Sequence, residues 1–217
     1  MAETHSRRAV LVGLAAAGSG GVAGCLGDTG PGEPVNVSES WESGLDEWTA
    51  HGSVGSDARG EFDWSIDVTD ERAADGSRSL RVFTEGRHDD GTAWVTRSVP
   101  VERETAYDAT ASVRAWSAGE SFNTVRHLVM RLGPDPPASE GDFPPPGENS
   151  TDAGTVPVGG LREPMDREGG WEQFRFEWST PTLATDALSL SVGVSVVWET
   201  DRTDYLDDVR VSVVPRS

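Results

Sequence analysis

The sequence predicts an all-β fold, an antiparallel two-sheet β-sandwich of the jelly-roll type. Three observations lead there. Apolar side chains recur at every second position in short runs, as they do in strands with one buried face. Turn-forming residues separate those runs, among them 25 Gly and 13 Pro in a chain of 217 residues. No stretch of 12 residues carries the apolar stripe of an amphipathic helix. The length suits one domain with a sizeable core.

The segments follow in order. Residues 1–24 hold the pair Arg7-Arg8 and then a Gly/Ala-rich apolar run from Ala9 to Gly24, which ends in Val22-Ala23-Gly24-Cys25. This resembles a twin-arginine signal peptide with a lipobox, whose Cys is lipidated and becomes the first residue of the mature chain. A membrane-spanning helix is the alternative, but so short and glycine-rich a run falls below the roughly 20 apolar residues a span needs. The expected address is the extracellular face of the cell membrane, with Cys25 as the lipidation site and the lipid as the only membrane contact. Residues 25–35, which include GDTGPGEPV, read as a flexible tether. Residues 36–217 read as a single jelly-roll domain.

Within that domain, Leu80 with Val82, Ala93 with Val95, and Val99 with Val101 mark the first core-facing positions. Ala109, Ala111, Val113 and Ala115 continue the pattern, followed by Leu128, Met130 and Leu132. Phe174, Phe176 and Trp178 come next, then Leu188, Leu190, Val192, Val194 and Val196, and finally Val209, Val211 and Val213. Thr, Ser, Arg, Asp and Glu fill most positions between, so each strand has a polar face. Eight to ten strands are expected. The rhythm breaks over residues 133–170, a Pro/Gly-rich insertion expected to lie outside the sandwich. A loop of that length is uncommon in a compact domain. Its prolines cannot supply a ladder of N–H donors, which excludes a central strand there. Two readings stay open for it: a mobile, salt-tolerant insertion, or a loop that shapes a binding surface. Asn36-Val37-Ser38 and Asn149-Ser150-Thr151 are N-glycosylation acceptors by pattern.

Composition excludes several function classes. The formal charge is −19, and all 18 basic residues are Arg. Such Lys-free acidic chains resemble proteins of halophilic archaea, where dense carboxylates hold a hydration layer in concentrated salt. Nucleic acid is excluded as a partner, because phosphate binding needs clustered basic residues. At molar salt the Debye length is about 3 Å, so this charge steers nothing over distance. Cys25 is the only Cys, which removes disulfides, thiolate zinc sites and a Cys nucleophile. The four His, at 5, 51, 88 and 127, lack metal-ligand spacing, and no nucleophile elbow, phosphate loop or dinucleotide fingerprint occurs. The expectation is a protein that is not an enzyme.

Four separated pieces carry a family resemblance. Residues 39–48 read ESWESGLDEW, 75–82 read DGSRSLRV, 170–176 read GWEQFRF and 205–211 read YLDDVRV. Together they resemble the galactose-binding-like β-jelly rolls found among carbohydrate-binding modules of secreted glycosidases, over about 180 residues. The resemblance implies a non-catalytic carbohydrate-binding domain whose partner is a polysaccharide or surface glycan. It also implies a structural calcium joining the first and last strands, held by Glu42 and Asp207 with backbone oxygen near Gly76. Calcium takes six to eight oxygen ligands.

Sugar recognition calls for flat aromatics flanked by polar groups. Trp41 and Trp48 match core positions of the resembled family, and Trp171 and Trp178 are grouped with the core residues Phe174 and Phe176. Trp94 and Trp116 fall opposite the core parity of Val95 and Val113. Arg114 shares the face of Trp116, and His127 and Arg131 lie out of phase with Leu128 and Met130. The expected platform is therefore Trp94, Trp116, Arg114, His127 and Arg131. Trp64 and Trp198 are weaker candidates. A structural or adhesion protein that contacts other surface proteins, with exposed aromatics on the Pro-rich loop (Phe143) or at a sheet edge, is the competing class.

Overall fold

The structure is a computed structural model that describes residues 32–55, 63–86, 90–117, 125–154, 156–165, 169–197 and 201–216. Cys25 and the whole proposed signal segment lie outside the described residues. Eleven strands form among them. They are β1 (Val35–Glu39), β2 (Thr49–Val54), β3 (Trp64–Thr69), β4 (Ser79–Thr84), β5 (Asp90–Pro100) and β6 (Tyr107–Ser117), followed by β7 (Val125–Gly133), β8 (Gly159–Pro164), β9 (Glu172–Ser179), β10 (Ala187–Val197) and β11 (Arg202–Pro215). Sheet A runs β3-β4-β11-β6-β9, with β1 paired to the second half of β11; sheet B runs β2-β5-β10-β7-β8. Every pairing is antiparallel. The two sheets pack face to face as the β-sandwich the alternation predicts.

The core lies between them and is built from the alternating positions. Leu188, Leu190, Val192, Val194 and Val196 of β10 point inward, with Val95 and Val99 of β5 and Leu128, Met130 and Leu132 of β7 beside them. Sheet A answers with small residues paired to large ones: Ala109 with Trp178, Ala111 with Phe176 and Val113 with Phe174. Alternating sizes let the layer fill without voids. Trp41 and Trp48 are buried, with ring centroids 4.9 Å apart. The Glu39 carboxylate accepts from the Trp41 amide at 2.8 Å and the Trp48 indole at 3.1 Å, which ties β1 to that corner. Trp171 departs from expectation. It stands three residues before Phe174, on the other parity, and is only half-buried.

The insertion also differs from expectation. Residues 159–164 are not outside the sandwich but form β8, an edge strand paired with β7. Gly159-Gly160 reads as a turn in sequence, yet here it serves close approach. A Cβ at Gly160 would come within 2.4 Å of the Met130 carbonyl oxygen. The Pro-rich part forms no strand, as its missing N–H donors require, and carries a 3-10 turn, Glu140–Asp142. A second, Ser150–Asp152, lies beyond it.

One buried carboxyl has a measurable consequence. Asp204 on β11 is 1% exposed. Burial pushes its carboxyl above its ordinary value, although Ser117, Arg126 and Arg202 all pull the other way. A group whose folded-state value is raised stabilises the fold below its unfolded value, and that contribution is lost as pH rises through the folded value. At fixed ionic strength, the melting temperature of the wild type should fall more steeply from acid toward neutral pH than that of Asp204→Asn. Equal slopes would contradict this account of Asp204.

Candidate binding face of sheet B

The face of sheet B turned away from the core gathers side chains from all five strands. Register places them in rows. Ser53, Thr92, Ser195, His127 and Pro164 form one; His51, Trp94, Gly193, Val129 and Arg162 form the next; Thr49, Thr96, Ser191, Arg131 and Gly160 form the third. Period-two alternation dictates this: the positions between the core residues of β5, β7 and β10 must face outward. The middle row depends on Gly193. A Cβ there would lie 2.2 Å from the Ala93 carbonyl oxygen and 2.5 Å from Trp94 Cβ, so no other residue lets β10 approach β5 so closely beside Trp94.

Trp94, His127 and Arg131 thus share one face, as parity predicts. Trp116 and Arg114 do not. They sit on β6, which belongs to sheet A, so the five expected platform residues divide between opposite outer faces. Trp116 is covered by the Arg72 guanidinium, 3.6 Å from its ring centroid, and meets Tyr205 edge-on at 5.5 Å. Arg114 pairs with Asp208 at 3.4 Å. Trp64 packs across Gly52 from β3, and Trp198 lies outside the described residues.

Trp94 is only 2% exposed, because residues 134–148 cross over this face as a strap. Phe143 packs edge-on against the indole at 5.5 Å and, with Val129, forms a small apolar cluster separate from the main core. Glu140 pairs with Arg162 at 2.6 Å and accepts from the Thr92 hydroxyl at 2.9 Å. Arg162 also donates to Ser195 Oγ at 2.8 Å. The ends of the strap are pinned: Arg131 donates to the Asp135 carbonyl, and the Gly147 amide donates to the Arg162 carbonyl at 2.7 Å. His51 stacks beside Trp94 at 5.4 Å, and burial shifts its imidazole toward the neutral form. Burial likewise lowers Arg131, against the pull of Asp142 and Asp135.

His51, Thr92, Arg162 and Glu140 were not foreseen on this face, and Phe143, expected as an exposed aromatic of the loop, is instead buried against Trp94. His51 sits in a segment of weak alternation, Thr49-Ala50-His51-Gly52, and the strap contacts are long-range.

Glu42 and Asp207 do converge on one turn, residues 74–78. Glu42 Oε1 accepts from the amides of Ser77 at 2.6 Å and Arg78 at 2.8 Å, and Oε2 accepts from the Ser77 hydroxyl. Asp207 Oδ2 accepts from the amides of Ala74 at 2.6 Å and Asp75 at 2.9 Å, and Oδ1 from that of Asp208. Gly76, at φ +67°, holds the turn, and a Cβ there would lie 2.4 Å from Glu42 Oε1. A β-bulge with Asp208 at φ 49° turns Asp207 toward it. The Ser77 amide, foremost among these donors, holds the Glu42 carboxyl below its ordinary value. Burial pushes Asp207 above its own in spite of three amides. All four carboxylate oxygens therefore face N–H or O–H donors, and among the described residues no three His, Cys, Asp or Glu side chains gather into a metal-holding group. In this arrangement the residues form a hydrogen-bonded clasp and do not present the oxygen cage calcium requires.

The two glycosylation acceptors also differ. Asn36 is exposed on β1. Asn149 caps a 3-10 turn, and its Nδ2, the atom a glycan would occupy, donates to Glu163 at 2.6 Å and to the Arg175 carbonyl at 3.0 Å.

No family model matches the chain, and no curated protein matches it. Solved structures do. A carbohydrate-binding module of the β-sandwich superfamily, studied for promiscuous specificity, is 16% identical over 78% of this chain, with TM-score 0.48; the chain spans 59% of that structure's length. A xylan-binding domain from Paenibacillus barcinonensis is 17% identical, covering 83% of this chain and 95% of its own, with TM-score 0.45. A family 11 carbohydrate-binding module from Clostridium thermocellum, in complex with a β-1,3-1,4-mixed-linked tetrasaccharide, is 13% identical over 82% and 94%, with TM-score 0.43.

The clasp yields a stability test. Asp207→Ala strands the amides of Ala74, Asp75 and Asp208 and should cost about 1–3 kcal/mol of unfolding free energy. A chelator at fixed ionic strength should leave the wild-type melting temperature unchanged. A chelator-induced drop that vanishes in Asp207→Ala would instead put a cation at the turn.

Proposed function

We propose that this chain is a non-catalytic, surface-anchored glycan-binding domain that binds its ligand on the outer face of sheet B. The observation that supports it best is the middle row of that face. Trp94 stands there between two rows that hold the hydroxyls of Thr92, Ser195, Thr96 and Ser191, with Arg131 and Arg162 at one side. A sugar ring offers an apolar C–H surface for an indole and hydroxyls for the groups around it, and this face supplies both on rigid strands. Stacking is not a charge–charge interaction, so concentrated salt leaves it largely unscreened. Glu140, which bonds to the face, is already committed to Arg162 and Thr92, and Asp142, near Arg131, is committed to the Ala138 and Ser139 amides. Glycoside hydrolysis would need two carboxylates about 5–10 Å apart across the substrate. The adhesion reading expects exposed aromatics on the long loop or at a sheet edge; on the loop, Phe143 is only 5% exposed.

The address belongs to the same proposal. It rests on Arg7-Arg8, the apolar run and Cys25, which together support an address outside the cell on a lipid. Cys25→Ser should release the protein from membranes into the medium; full membrane retention of that variant would contradict lipid anchoring.

Binding is tested by retention on soluble β-1,4-xylan, β-1,4-galactan and β-1,3-1,4-glucan in concentrated salt. At least one should retain the wild type. Trp94→Ala should weaken that binding by about tenfold or more, near the 1.4 kcal/mol of one stacking contact. Trp116→Ala, on the opposite sheet, should bind as the wild type does. Equal binding by Trp94→Ala would move the site elsewhere.

A further inference from the structure

We infer that the strap of residues 134–148 is an internal competitor for the face it covers, and that Phe143 must leave Trp94 before a glycan can seat there; this rests on the glycan-binding reading above. Four observations carry it. First, away from its pinned ends the strap grips the face through Phe143, against Trp94 and Val129, and through Glu140, against Arg162 and Thr92. Second, it covers donors that it does not satisfy. Trp94 Nε1, Arg131 Nε and Arg162 Nε are buried without an acceptor. Buried N–H groups left unpaired disfavour the covered state, and ligand hydroxyl oxygens can accept from them.

Third, few of the strap's own side chains are buried. Between residues 134 and 148 only Pro137 and Phe143 are buried, while Pro136, Ser139, Gly141, Asp142, Pro145 and Pro146 already face solvent. Segments with few buried apolar groups open at low free energy. Gly147, at φ +81°, turns the chain in the left-handed conformation at the strap's pinned end beside β8. Fourth, one side of the face is already accessible. Thr49 and Ser98 are exposed and His51 and Thr96 half-buried along the β2–β5 edge, away from the Glu140–Arg162 anchor. A polysaccharide chain can touch that edge first and then take the place of Phe143 on the indole.

The covered state lowers apparent affinity by the fraction of molecules that are open. Loosening the strap in the full chain should therefore tighten binding. Phe143→Ala and Glu140→Gln are each expected to bind whichever of the xylan, galactan or mixed-linked glucan retains the wild type about five- to tenfold more tightly. Hydrogen exchange on the wild type without polysaccharide gives a second readout. The Gly147 and Phe143 amides should exchange much faster than those of β10, which report global unfolding. Strap variants that bind no more tightly, or strap amides that exchange only at the β10 rate, would overturn the inference. If neither the wild type nor either variant is retained by any of the three polysaccharides, the glycan reading fails, while the exchange rates still decide whether the strap opens.

Discussion

The centre of sheet B, around Trp94, Val129 and Arg162, is buried on both of its faces, and sheet A covers only the inner one. That asymmetry governs the rest of the molecule. A strand row buried on its inner side by sheet A must show its other side to water or find a cover. In an ordinary sandwich the outer side is polar and wet. Here it holds Trp94, Val129, two arginines and a file of hydroxyls, too apolar to leave bare and too polar to pack cleanly. The Pro-rich strap resolves this with one aromatic ring and one carboxylate, Phe143 and Glu140. Its grip on so mixed a surface is necessarily partial, because a peptide segment with few side chains cannot answer every donor beneath it.

The opposite sheet shows the same economy by other means. On sheet A the outward aromatics Trp116 and Tyr205 are covered by a single arginine, Arg72, and the Tyr205 hydroxyl donates to Glu71 at 2.5 Å. Below them the bulge in β11 sends Asp207 to the turn at residues 74–78 and Asp208 toward Arg114 and Arg210. A chain with no disulfide available thus closes its ends through carboxylates that cap backbone amides. Such caps are strong because the acceptor is charged and the donors are fixed by a tight turn.

Much of this was legible in sequence, and the failures share a physical cause. Alternation located the inward positions of β5, β6, β7, β9, β10 and β11, and it correctly turned Trp94, His127 and Arg131 away from the core. Parity says which side of its own sheet a residue faces, but not which sheet its strand joins. Strands β5 and β6 are consecutive yet belong to different sheets, so Trp94 and Trp116, equal in parity, end on opposite surfaces. Strand β8 was hidden because Gly159-Gly160 signals a turn and close backbone approach in the same letters. The strap was visible as an irregular segment, but its cover over Trp94 is a contact across 49 positions of sequence that no local pattern encodes. Family resemblance pointed to Glu42, Gly76 and Asp207, which the fold gathers at one turn, and only the geometry shows that backbone amides meet their carboxylates.

The central claim is that the indole of Trp94, now under Phe143 with its N–H unpaired, is where a glycan stacks. The most direct measurement follows the Trp94 Nε1–H resonance, assigned by its loss in Trp94→Phe, while an oligosaccharide of whichever retained polysaccharide is titrated into the full chain. The account predicts that this resonance shifts with saturation and that the Phe143 ring signals move with it. A Trp94 resonance that stays fixed while signals on another surface shift would contradict it.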